Sequence, residues 1–130
     1  MCIRDSAYSY AVLRLVPRVE RGERINVGVV VFCRPLQYLE ARTALDGARA
    51  LVLWPDLDVE SVRAHLASIE RVAAGDPTAG PIAGLDTTAR FHWLVAPSST
   101  IIQPSVVHTG LCGPPADELD ELFRELVVVA

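Results

Sequence analysis

The sequence predicts an α+β fold, an antiparallel sheet of about four to five strands with two to three helices mainly on one face. Three observations predict it. Residues 7–16 (AYSYAVLRLV) and 25–33 (INVGVVVFC) are rich in β-branched and aromatic types, the composition of strands. The charged connection PRVERGER between them is short enough for an antiparallel hairpin, though longer than a tight turn. Behind Asp58, a good N-cap, Val59, Val62, Leu66, Ile69 and Ala73 recur at helical spacing.

The remaining elements follow in chain order. The opening MCIRDS has no periodicity and reads as a foreign leader, so the expected division is 1–6 leader and 7–130 single globular domain. Pro17 ends the first strand and Arg34-Pro35 the second. Leu39 and Ala41 alternate with Glu40 and Arg42, predicting a weaker third strand over 36–43. A short helix is expected over 45–53, stopped by Trp54-Pro55, and Gly75 and Pro77 stop the longer one. GDPTAGPIAGLDTT reads as a surface loop. Phe91, Trp93 and Val95 alternate within ARFHWLVA, which predicts a strand over 89–96; TIIQPSVVH pairs beside it as an edge or interrupted strand because of Pro104. From about Pro115 a last helix carries Leu119, Leu122, Phe123 and Leu126 on its inner face.

Register follows from the pattern. If residues whose numbers sum to 40 oppose one another, Leu13 and Leu15 share a wholly apolar face with Ile25, Val27, Val29 and Val31. Tyr8, Tyr10, Arg14, Asn26, Gly28 and Phe32 then lie on the other. A one-residue slip would bury Arg14 among the valines.

Composition excludes several classes. With 130 residues, 51% hydrophobic and 22% charged, the chain can bury one core. A net charge of −4 argues against a general nucleic-acid or anionic-membrane binder. No apolar run approaches the roughly 20 residues of a membrane helix. Cys2, Cys33 and Cys112 are far apart, which predicts reduced thiols in the cytoplasm. With His65, His92 and His108 they form no metal-ligand spacing, and no cofactor is expected.

YSYAVLRLVPRVERGERINVGVVVFC together with RFHWLVAPSSTIIQPSVVHTGLC resembles an uncharacterised bacterial family, domain of unknown function 3037, over roughly residues 8–127. CGPPADELDELF departs from its pattern, in which an acidic residue precedes a single proline, so the helix start is expected to differ. The resemblance implies a small cytoplasmic protein, encoded in some genomes beside a HipA-like kinase. It brings no established activity.

Two constellations are candidate sites. In the first, Arg18, Arg21 and Arg24 alternate with Glu20 and Glu23, the pattern of a solvated, self-paired loop. Its functional reading is an anion site in which Arg14 and Arg24 bind phosphate or carboxylate bidentately, with the Asn26 amide and the close approach allowed by Gly28 beside them. Gly28 could equally be a bulge or a seat for Tyr8 or Tyr10. The second is SSTIIQPSVVHTGLC, which offers Ser98, Ser99, Thr100, Gln103, Ser105, His108, Thr109 and Cys112. It has no nucleophile elbow and no acid to orient His108, so local backbone hydrogen bonding is the simpler reading. His92 is expected to be partly buried and hydrogen-bonded, and His65 solvated. The acids Asp117, Glu118, Asp120 and Glu121 complement the last helix's dipole, or else dock a basic partner.

Arg14, Arg18, Arg21, Arg24, Asn26, Gly28, His108 and Thr109 are therefore candidate binding residues, and no catalytic residue is assigned. Residues 7–49 carry seven arginines against four acids, and residues 117–125 five acids and one arginine. That asymmetry favours a non-catalytic accessory domain with a protein partner, the HipA-like kinase if the resemblance holds. The alternatives are a small phosphate- or nucleotide-handling enzyme using Arg14, Arg24 and His108, and nucleic-acid binding through the arginine loop.

Overall fold

The computed structural model describes residues 6–97 and 100–128. Its strands are β1 (Ser6–Leu15), β2 (Ile25–Cys33), β3 (Tyr38–Thr43), β4 (Ile102–Pro104) and β5 (His108–Cys112). Its helices are α1 (Gly47–Leu53), α2 (Val59–Ala74), α3 (Thr87–Leu94) and α4 (Pro115–Leu126). The sheet is antiparallel throughout, in the order β3-β2-β1-β4, with β5 also on β1. Residues 1–5 of the expected leader lie outside the described residues; Ser6 begins β1 and pairs with Cys112. Pro104 interrupts the outer strand as its sequence predicts, but the two pieces pair with β1 rather than with 89–96, so β4 and β5 share one side of β1 with a break between them.

The expected hairpin register holds only at its turn end. Arg14 pairs with Asn26 and Leu15 with Ile25, but Leu13 pairs with Gly28, so Val27 is an extra residue in β2. This bulge reverses the faces of everything beyond it. Leu13, Leu15, Ile25, Val27, Val30 and Phe32 point one way, toward Ala50 of α1, five residues of α2, and Phe91 and Leu94 of α3. Val29, Val31 and Cys33 point the other way, against Leu119 and Leu122 of α4, Tyr8 and Cys112. The single apolar face expected from the pattern is therefore corrected to two cores sharing β2. Gly28 moves with the bulge: it opposes Leu13, and a Cβ there would lie 3.0 Å from the Arg42 carbonyl and 3.1 Å from Leu13. It is a packing position on the α2–α3 side, away from Arg14. Arg14 does point away from Leu13, beside Asn26.

The 89–96 strand is also corrected: the segment is helical. Asp86 caps α3 by accepting the Ala89 N–H at 2.8 Å, and the buried residues are Phe91 and Leu94, one helical turn apart. Trp93, expected to share a side with Phe91, is 50% exposed. His92 is exposed rather than partly buried, because it follows Phe91 around the helix. His65 is half-buried rather than solvated and lines a cavity of about 300 Å³ with Ile69 and Trp93. Asp58 caps α2 through the Ser61 N–H, and Gly75, with φ of 75°, closes it in the left-handed conformation that favours glycine.

Three of the four helices cover one face, and α4 covers part of the other. The acids of α4 help fix it there. The Tyr8 hydroxyl donates to Glu118 at 2.9 Å, and Arg42 of β3 pairs with Asp120 while lying over the Phe123 ring. At the far end, Asn26 Nδ2 donates to the Leu126 carbonyl at 3.0 Å, satisfying one of the helix's last oxygens.

Candidate functional site

Because α4 lies along β2, ties to β3 and covers Tyr8 and Cys112, what stays exposed among the described residues is the outer part of the β1–β4–β5 half of its face, around His108. Strand alternation brings Tyr10, Arg14, Gln103 and His108 to that side, Gln103 opposite Arg14 and His108 opposite Tyr10. Tyr8, Tyr10 and His108 form a ladder of stacked rings with centroid separations of 5.9 and 5.1 Å. Gly110 makes room for its first ring: a Cβ there would stand 2.9 Å from Tyr8 Cε1. Burial and the hydrogen bond to Glu118 push the Tyr8 hydroxyl pKa upward, so Tyr8 stays a neutral donor. His108, outermost in the ladder, is exposed.

The predicted arginines separate into two kinds. Arg18 pairs with Glu20 at 3.0 Å and Arg21 with Glu23 at 2.7 Å, all on the exposed connection. Those pairs leave it little uncompensated positive charge with which to hold a polyanion. Arg14 and Arg24 make no ion pair or hydrogen bond among the described residues. Arg14 is half-buried, and burial and then the nearby Arg24 charge lower its guanidinium pKa. Asn26 sits beside Arg14, although its amide nitrogen is committed to Leu126.

His108 and Arg14 share a face, but their positions are four residues apart along β1, roughly 13 Å of strand. Thr109 pairs with Ser9 and so belongs to the opposite face from His108. Ser98 and Ser99 lie outside the described residues, as does Cys2. Ser105 is buried and structural: its N–H donates to the Val12 carbonyl, and its Oγ accepts the Val12 N–H at 2.9 Å while donating to the Val106 carbonyl. One side chain thus supplies the hydrogen bond that the strand break would otherwise remove. Cys33 and Cys112 are both buried, and the Cys33 thiol donates to the Ala7 carbonyl at 3.5 Å. Among the described residues no group of three His, Cys, Asp or Glu is arranged to hold a metal ion, and no helix is long and apolar enough to cross a membrane.

A second feature, absent from the predicted site, adjoins this face. Among the described residues β5 pairs only with β1, so its outer edge is unpaired. Residues 100–113 contain no Asp, Glu, Lys or Arg, while Val106 is 75% and Leu111 68% exposed, with Val107 also outside. Open edges ordinarily carry charges that discourage strand addition. A long uncharged stretch beside a proline-interrupted strand was the available sequence signal.

The profile of a family described as protein of unknown function (DUF3037) matches residues 10–127. The chain belongs to that family. The match spans β1 from Tyr10 through α4, and so takes in both halves of the open face. No curated protein and no solved structure matches this DUF3037 chain.

Proposed function

We propose that this DUF3037 chain is a non-catalytic accessory domain that binds a protein partner along the β5 edge, in the cytoplasm of a bacterium. The uncharged, unpaired edge flanked by Val106, Val107 and Leu111 carries the reading. An extended segment of a partner can complete such an edge with main-chain hydrogen bonds, while apolar side chains at its margin supply burial. A HipA-like kinase is the partner that the family resemblance implies.

The test is calorimetric titration of the purified protein with a HipA-like kinase from the same genome. Val106→Glu and Leu111→Glu place charges on exposed positions and leave both cores untouched. Each should weaken binding at least about tenfold, the equivalent of ~1.4 kcal/mol. Unchanged affinity in both variants, or no binding by the unaltered protein at tens of micromolar, roughly the weak end of specific association, would sink the reading.

A further inference from the structure

Arg14 and Arg24 are two like charges that form no ion pair among the described residues. Arg24 directly precedes Ile25, the last β2 residue paired with β1, and stands two positions from Asn26, the partner of Arg14; its charge is close enough to act on the Arg14 guanidinium. On Arg14's other flank stands Gln103 of β4, whose Nε2 donates to the Thr100 carbonyl. The neighbouring end of α4, marked by the Asn26–Leu126 hydrogen bond, carries the helix's fractional negative pole and the exposed Glu125, which forms no ion pair with either arginine among the described residues. The contrast with Arg18 and Arg21, each beside its own glutamate, is local and direct.

We propose that Arg14 and Arg24 together receive a carboxylate from an extended acidic segment of the protein partner. The proposal rests on the reading above that the partner is a protein, and adds the chemistry of its contact. Guanidinium groups grip carboxylates through paired N–H donors, and removal from bulk water strengthens that grip. Roughly 13 Å farther along the same face, the exposed His108 ring stacked on Tyr10 offers a flat contact for an apolar side chain about four residues away in an extended segment. A nucleic acid fits poorly. The same face carries α4, with five acidic residues between positions 117 and 125, and a continuous polyanion would be repelled there. A peptide can place one carboxylate at the arginines and keep the rest of its charge elsewhere.

The experiment is fluorescence anisotropy with a short labelled extended peptide that carries one glutamate and, four residues on, a valine, in an otherwise uncharged threonine–serine background. A glutamine–valine peptide, differing only at the glutamate, and an oligothymidylate serve as comparison probes. The unaltered protein should prefer the glutamate peptide, and the Arg14→Ala/Arg24→Ala double variant should lose about tenfold or more in affinity. Arg14→Lys/Arg24→Lys should recover only part of it, whereas Arg18→Ala/Arg21→Ala should bind as the unaltered protein does. Thermal melts establish that each variant folds. Equal binding of the two peptides, tighter binding of the oligothymidylate, or no effect of the Arg14/Arg24 variant overturns the proposal, as does an absence of binding. If Leu111→Glu weakens kinase binding and the Arg14/Arg24 variant does not, the edge reading stands and the acidic contact falls.

Discussion

The two edges of this sheet are built in opposite ways. β3 carries Glu40 and Arg42, and it is tied to both layers: Arg42 reaches Asp120 of α4, and the Thr43 N–H donates to Glu70 of α2. The β4–β5 edge is uncharged, broken after Pro104, and held across that break by the Ser105 hydroxyl. One edge is closed by side chains already present in the chain. The other keeps its backbone available while avoiding collapse at the break. The difference teaches that the open edge is supported from within, by Ser105 and the Tyr8–Tyr10–His108 ladder, and left bare from without.

The largest way to break the contrast is through α4, which helps secure the closed side. Leu119 is fully buried among Val29, Val31 and Cys33, and Leu119→Ala should cost about 2–5 kcal/mol. Urea unfolding measures that loss, and hydrogen exchange should show β3 amides losing protection along with it. Ser105→Ala tests the open side. It leaves the buried Val12 N–H without its acceptor and should cost about 1–3 kcal/mol, with faster exchange concentrated in β1, β4 and β5. If β3 exchanges faster by the same amount, the two edges are not independent. The smallest effect appears only in alkali. Burial and the carboxylates of Glu118 and Glu40 raise the Tyr8 and Tyr38 hydroxyl pKa values above their unfolded value of about 10. Their contribution to stability is thus complete below that pH and lost as pH rises through the folded values. Unfolding measured across a pH series should show that decline, and Tyr8→Phe/Tyr38→Phe should flatten it.

Much of the architecture was legible because several local signals agreed. Asp58, the apolar stripe behind it and Gly75 together specified α2, and Pro104 marked the interrupted edge strand. The third strand and the final helix followed from alternation and from the Leu119–Leu122–Leu126 spacing. Two failures have definite causes. In 89–96 the aromatic alternation of Phe91 and Trp93 outweighed the cap at Asp86, although the cap and the Phe91–Leu94 spacing set the conformation. In β2 nearly every residue is apolar, so strict alternation could not reveal where Val27 changes the phase.

The candidate site was legible in part for the same reason. Arg14 and Asn26 lie on the turn side of the bulge, where the simple register holds, so their shared face was readable. Gly28 lies just beyond it and went to the other side. Thr109 was grouped with His108 by chain proximity, although adjacent strand residues point to opposite faces. The paired loop arginines followed from their alternation with glutamates. The bare edge escaped notice because it is defined by missing charges, and a search for reactive side chains passes over such a stretch.

The surplus residue at Val27 makes the length of β2 matter more than the spelling of its valines. Exchanging one aliphatic side chain for another keeps each core supplied, whereas deleting one position would send Val29 and Val31 to the wrong roof and strand Val30 and Phe32 beneath α4. Variation along this strand should therefore run through substitutions and spare insertions and deletions, a constraint set by counting rather than by chemistry.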